Sequence, residues 1–293
     1  MKILVVGATG RTGQHIVDHL LAAGQEVRIL TRPTSTVPAR WTAVERVYGD
    51  LDDAPSLLLA LSGIDGLFVL SPMDVELDRL ERNAFEAAVS AGTAHVVKMS
   101  TTKPEADSAI PWWRAHWRSE AALRRSGLSW TILRPNGITF FLLEHARGVR
   151  EHGVFRTAAG EGRMALIDAD DIGAVTARVF ADPGPYRGEV LDLTGPEAVS
   201  YGDVADILTR VTGRLVRHVD ISPDEGLSLL LGYGFQDWEA EGMVANWLMT
   251  RDGSGGFDRV TDVVERVSGR RPLGVDVFLG AHRDAFAPSV RAR

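Results

Sequence analysis

The chain has 293 residues, 45% of them hydrophobic, a formal charge of −7 and no cysteine. That length and composition suit one large domain, or one domain with a smaller lobe, around a sizeable core; the lack of cysteine excludes disulfides, a thiolate nucleophile and cysteine-ligated metal. The acidic balance without a basic run argues against nucleic acid as the main partner, and with no leader-like start and no apolar stretch near the roughly 18 residues of a membrane span we expect a cytoplasmic protein that does not meet a membrane.

The first apolar run, Lys2-Ile3-Leu4-Val5-Val6, reads as a strand and passes directly into Gly7-Ala8-Thr9-Gly10-Arg11-Thr12-Gly13. Ile16, Val17, Leu20 and Leu21 then recur at helical spacing. Further strands are expected at Glu26–Thr31, Val44–Tyr48, Gly66–Leu70, His95–Met99 and Trp130–Leu133. Helices are expected between them at Pro55–Leu61, Leu77–Ala91 and Trp113–Arg125. This rhythm predicts an α/β fold, a doubly wound parallel sheet whose strand C-termini share the edge where ligands bind. The second half is less regular: helices at Asp170–Phe180 and Tyr201–Val211, a strand at Glu189–Leu193, a short strand at Val216–Val219, and a mostly helical remainder from Pro223 to Phe286. We therefore expect a nucleotide-binding domain over residues 1–150 and a smaller, mostly helical lobe over 151–293. Segments of that lobe at about 164–195 should return to the sheet.

The glycine-rich turn is the strongest chemical signal. Main-chain N–H groups there, with the positive end of a helix dipole, hold a pyrophosphate, and the glycines let the ligand approach closely. The competing reading is a glycine-rich turn without a ligand. In dinucleotide folds an acidic residue after the second strand holds the ribose hydroxyls, whereas an arginine suits a 2′-phosphate. Here Leu30-Thr31-Arg32 stands at that place, and Arg11 adds a second cation, so NADP(H) is favoured over NAD(H). Asp50-Leu51 is expected near the adenine, and Ser71-Pro72 along the dinucleotide. His15 and His19 have metal-compatible spacing but no third ligand and read as surface residues, and Asp168, Asp170 and Asp171 read as a helix cap rather than a metal site.

Gly7-Ala8-Thr9-Gly10-Arg11-Thr12-Gly13, Tyr48-Gly49-Asp50-Leu51-Asp52-Asp53, Ser126-Gly127-Leu128-Ser129-Trp130-Thr131-Ile132-Leu133-Arg134-Pro135-Asn136-Gly137 and Asp170-Asp171-Ile172-Gly173 together resemble the NmrA-like family of atypical short-chain dehydrogenases, over nearly the whole chain. The resemblance implies a Rossmann domain that binds NAD(P) and a small helical lobe. It implies either a quinone, dye or isoflavone-type reductase, or a non-catalytic redox-sensing regulator.

Ordinary short-chain dehydrogenases use Tyr and Lys four residues apart on one helix. Four residues after Tyr48, Tyr186, Tyr201 and Tyr233 stand Asp52, Val190, Ala205 and Asp237, so that dyad is absent from this chain. His116 and Glu120 occupy its expected place. A planar conjugated acceptor such as a quinone, which spreads charge itself, then fits better than a simple ketone. His116 is the candidate proton donor, or else a packing histidine. Ser100 is a candidate to bond a substrate carbonyl or the nicotinamide ribose, Lys98 a cofactor hydroxyl, and Asn136-Gly137 the nicotinamide. Trp113, Trp117 and Phe140 are candidates to line the substrate pocket, though core packing explains them equally. We expect a small-molecule substrate and a monomer or homodimer. The other reading is an NADP(H)-binding sensor without turnover.

Overall fold

The computed structural model describes residues 1–42 and 44–287. Along the first half, strands β1 (Lys2–Val5), β2 (Glu26–Thr31), β3 (Glu45–Tyr48), β4 (Gly66–Val69), β5 (His95–Met99) and β6 (Trp130–Pro135) alternate with helices. These are α1 (Arg11–Ala22), α2 (Ala54–Leu61), α3 (Leu77–Ala91) and α4 (Pro111–Arg125). A 3-10 stretch over Thr139–His145 leads into α5 (Ala146–His152), β7 (Val154–Thr157) and β8 (Arg163–Met164). There follow α6 (Ala169–Ala181), β9 (Glu189–Leu193), β10 (Val199–Ser200), α7 (Tyr201–Thr212), β11 (Arg217–Asp220), α8 (Pro223–Gly232) and α9 (Asp237–Arg251). The described chain closes with α10 (Val263–Ser268), α11 (Val275–Ala281) and α12 (Arg283–Phe286).

The central sheet has seven strands in the order β3-β2-β1-β4-β5-β6-β9, with every pairing parallel. Strand order reverses between β1 and β4, the crevice where doubly wound sheets bind ligands. Alternation along each strand decides which layer a residue joins. Ile3, Val5, Val97 and Met99 face α1, α6 and α10; Leu4, Leu67, Val69, Val96 and Ile132 face α2, α3 and α4. By the same parity Lys98 and Ser100 point toward α3 and α4, on one side, as their spacing predicts.

β9 pairs with β6, and α6 packs on α1. A separate core gathers α5, β7, α7, α8, α9, α11 and α12, together with Trp113 from α4. The sequence reading missed β7 and the segment before it. β7 is four residues long and pairs with β11, some sixty residues onward, so nothing local marks it. Among the described residues no helix is long and apolar enough to cross a membrane.

Candidate nucleotide site and the cleft beside it

The glycine turn follows β1 at the crevice. Gly7 has a φ of +79°, and a Cβ there would lie 2.2 Å from the Leu70 carbonyl oxygen. A Cβ on Gly13 would lie 2.0 Å from the Gly7 oxygen. Both positions therefore demand glycine, and the turn lies flat against the end of β4. α1 begins with Gly10 as N-cap and has no side-chain cap. The Gly10 amide bonds Gly7 O at 3.1 Å and the Gln14 amide bonds Gly10 O at 3.0 Å. Between them, the amides of Arg11, Thr12 and Gly13 have no partner among the described residues, and an uncapped helix start with free donors is an anion site.

The cations sit where expected. Arg11 is exposed, with its guanidinium 5.2 Å from the Phe140 ring centroid. Arg32 is exposed after β2, and its guanidinium has no hydrogen-bond or ion-pair partner among the described residues. The sequence reading missed Arg46. It bonds Thr31 Oγ1 at 2.8 Å and the carbonyls of Arg32 and Ser35 at 3.3 and 3.2 Å, so it holds the loop that carries Arg32. Asp50 is exposed after β3, and Pro72 is exposed after β4. Leu51 is buried against α2 and α3, so only its main chain is placed to face an adenine.

Beneath α3 and α4 lies a buried polar network. Lys98 is fully buried, and its Nζ reaches Glu81 Oε2 at 2.8 Å, the Met99 carbonyl at 2.9 Å and His116 Nδ1 at 3.0 Å. Ser71 donates to Glu81 Oε1 at 3.0 Å, and Ser119 donates to Glu81 Oε2. Beside this group, Ser100 donates to Glu120 Oε1 at 2.6 Å, while Arg134 grips the same carboxylate at 2.9 and 2.6 Å and Arg124 adds a bond at 2.9 Å. Burial raises the Glu120 carboxyl, but the bonds from Arg134 and Ser100 outweigh it and leave the group below its ordinary range. Burial and the Lys98 charge hold His116 well below its ordinary value.

These contacts correct several sequence expectations. Lys98 does not extend to a cofactor hydroxyl, because all its donors are spent inside the network. Ser71 turns its hydroxyl inward to Glu81, leaving only main chain along the crevice. Ser100 has committed its proton to Glu120, so it offers a ligand an acceptor, suited to a ribose hydroxyl and not to a carbonyl. Near neutral pH His116 is an uncharged ring that accepts from Lys98, so it is not an imidazolium acid. Asn136 is buried: its Nδ2 donates to the Phe257 carbonyl at 2.7 Å and its Oδ1 accepts from the Gly137 amide at 2.7 Å, so both ends of the carboxamide are engaged in tying β6 to the lobe. Gly137 itself packs at Leu166. Trp113 is 1% exposed in the lobe core against Phe257. Trp117, one turn on, has passed beyond the lobe into an outer groove with Phe85 and Val89 between α3 and α4. Phe140 alone of the pocket candidates stands beside the glycine turn.

The lobe supplies a different surface, which the sequence reading did not assemble. Glu144, His145, Phe155, Leu230, Tyr233, Phe235, Met243 and Trp247 line a cleft. Behind it the rings of His145, Phe155, Tyr201 and His218 pack with centroids 4.8 to 6.0 Å apart. Burial brings His145 down to about 4 and pushes the Tyr201 phenol up to about 12. Glu144, exposed at the rim, belongs to the same 3-10 stretch as Phe140, whose ring stands 5.2 Å from the Arg11 guanidinium. On the opposite face of the sheet, Asp168 caps α6, and His19 bonds Asp170 at 2.7 Å, docking α6 on α1. Among the described residues no group of His, Asp and Glu is arranged to hold a metal.

A reversed parallel sheet with a strained glycine turn at its crevice and an uncapped helix behind it defines a doubly wound dinucleotide-binding protein. Within that class the chain belongs to the NmrA-like family, whose model matches residues 1–240. It is 31% identical over 285 residues to an NAD(P)H azoreductase of Xenophilus azovorans, covering 97% of this chain and 99% of the relative. It is 32% identical over 289 residues to a (4-alkanoyl-5-oxo-2,5-dihydrofuran-3-yl)methyl phosphate reductase of Streptomyces griseus, covering 98% and 99%. The fold superimposes with a TM-score of 0.85 and 25% identity on an NADPH-dependent quinone oxidoreductase of Escherichia coli complexed with NADPH, covering 96% and 99%.

Proposed function

We propose that this protein is an NADPH-dependent reductase that passes hydride to a planar conjugated small molecule, quinone-like or an aromatic natural-product intermediate. The broader assignment, an NAD(P)H-dependent oxidoreductase, stands on relatives matched over nearly their full length. The observation that carries the reading on this chain is the glycine cradle. Side chains at Gly7 and Gly13 would collide with main chain, and three free amides point from the start of α1. A dinucleotide pyrophosphate fits that donor set.

Arg32 and Arg11 are the groups for a 2′-phosphate, which favours NADP(H) over NAD(H). Bound there, the reduced nicotinamide supplies hydride. The protein's own part is to hold the acceptor close and exclude water. Ser100 accepts a ribose hydroxyl, while Phe140 offers a ring face beside the glycine turn for a flat acceptor.

Calorimetry with NADPH, followed by a panel of quinones and conjugated dyes monitored by NADPH oxidation, tests this reading. Saturable binding, acceptor-dependent oxidation, and loss of both in Gly10→Asp are expected; the added carboxylate opposes a phosphate across the free amides and weakens binding at least about 100-fold, roughly 3 kcal/mol. Binding of NADPH with no oxidation by any acceptor would instead favour the sensor reading. No binding of any nicotinamide nucleotide would overturn both.

A further inference from the structure

The network under α3 and α4 holds a buried cation that the proposed reaction has not used. The Lys98 ammonium gives one proton each to Glu81, to the Met99 carbonyl and to His116 Nδ1. A neutral imidazole whose Nδ1 accepts carries its own proton on Nε2. His116 is half-buried on α4, which follows β5 at the ligand edge, and one turn further along α4 Glu120 accepts from Ser100. The charged and titratable groups around the pair are Glu81 from α3, Glu120 from α4 and Arg134 from β6. Glu120 is neutralised by Arg134 and Arg124, which leaves Glu81 as the direct counter-ion of Lys98.

We propose that Lys98 and His116 form a two-step proton relay, in which His116 Nε2 protonates the reduced acceptor while Lys98 refills the ring at Nδ1. The inference rests on the reductase reading above and supplies its missing acid. A quinone that has accepted hydride carries an oxygen anion. That oxygen gains a proton as the Nε2–H bond breaks; the Nζ–H bond breaks as Nδ1–H forms. The ring never becomes doubly protonated, which agrees with its strongly lowered basicity. Lys98 is left as a neutral amine beside Glu81. A proton taken from water at Nε2, with return of the Nδ1 proton to Nζ, restores the starting state. His116 is thus the group that touches substrate, and Lys98 is a positioning residue that acts through it.

Two acceptors separate this role from a merely structural one. A quinone needs hydride and a proton; a triarylmethyl cation dye needs hydride alone. In His116→Phe and in Lys98→Met, the ratio of quinone kcat to dye kcat is expected to fall at least tenfold, within the span of general acid catalysis. If Lys98→Met does not fold, Lys98→Met with Glu81→Gln removes both buried charges together and carries the same expectation. Nitrogen NMR of the nucleotide-free protein gives a second readout. His116 should show one neutral tautomer, protonated on Nε2, at pH 7, and Lys98→Met should lose that single tautomer. An unchanged ratio in both variants, or a wild-type ring protonated on Nδ1, overturns the relay while leaving the reductase reading intact. A wild-type protein that binds NADPH yet reduces neither acceptor overturns both.

Discussion

The molecule has two polar walls, the layer between the sheet and α3 and α4 and the ring cluster of the lobe, and they solve the burial of polar groups in opposite ways. On the sheet side, Lys98, Glu81, Glu120 and Arg134 keep their charges and are wired to one another. On the lobe side, His145, His218 and Tyr201 sit among Phe155 and Trp247 as neutral rings, with burial lowering both imidazoles and raising the phenol. A wired charge keeps its place because leaving its partner costs several kcal/mol; a neutral ring can shift against its neighbours for far less. The sheet wall is therefore the more rigid of the two, and the lobe wall the more adaptable.

The comparison breaks most directly at Glu81. Glu81→Leu leaves the Lys98 ammonium buried and unpaired, and urea unfolding should show a loss of about 3–5 kcal/mol. A loss under about 1 kcal/mol would mean that the sheet side is not wired as described.

Acid separates the two walls next. The unfolded chain binds a proton at a histidine near pH 6.5, whereas folded His145 binds it only near 4. The unfolded state therefore holds more protons in that window, and stability falls as pH drops from 6.5 toward 4. Glu120 behaves differently: its folded carboxyl lies below the ordinary value, so its contribution is intact above about 4.5 and is lost only at lower pH. Between pH 7 and 4.5 wild type should lose about 2 kcal/mol more than His145→Gln, which takes up no proton. Equal losses would remove His145 from the account of the lobe wall.

Arg32 is the exception on the sheet side, a guanidinium with no partner among the described residues. Arg32→Ala should cost NADPH about 1.5 kcal/mol, roughly tenfold in affinity, and leave NADH unchanged. An unaltered preference between the two nucleotides would move the 2′-phosphate elsewhere.

How far each wall could be read from the sequence follows from the same difference. The glycine turn declares itself because strand, turn and helix are contiguous, and the six sheet strands of the first half follow one repeating pattern. The wired network left a signal that went unused. Glu81 falls four residues after Leu77 and four before Phe85, so a carboxylate stands on the apolar stripe of α3; His116, Ser119 and Glu120 interrupt the stripe of Trp113 and Leu123 on α4 in the same way. A polar residue on a buried stripe needs a partner, and Lys98, the one cation in the fully buried strand β5 apart from a histidine at its start, was the evident one. Asn136 misled for the opposite reason: its place after β6 is at the ligand edge, but its partner, the Phe257 carbonyl, lies 121 residues away. The lobe wall was illegible because His145, Phe155, Tyr201 and His218 converge from four separate elements with no shared spacing.

Phe140 stands where the walls meet, and its replacement should have the smallest effect. Its ring carries the Arg11 guanidinium at 5.2 Å on one side and packs with both the sheet core and the lobe core on the other. Phe140→Leu keeps an apolar side chain and removes only the ring face, so Arg11 loses a cation–π contact of about 0.5–1 kcal/mol. If that contact holds Arg11 ready for a phosphate, NADPH affinity should fall roughly two- to fivefold, an effect of that same size. The loss should vanish in an Arg11→Ala background, because the ring then has no cation to orient. A Phe140→Leu effect that persists without Arg11 would assign the residue to packing between the two cores and uncouple the glycine turn from the lobe cleft.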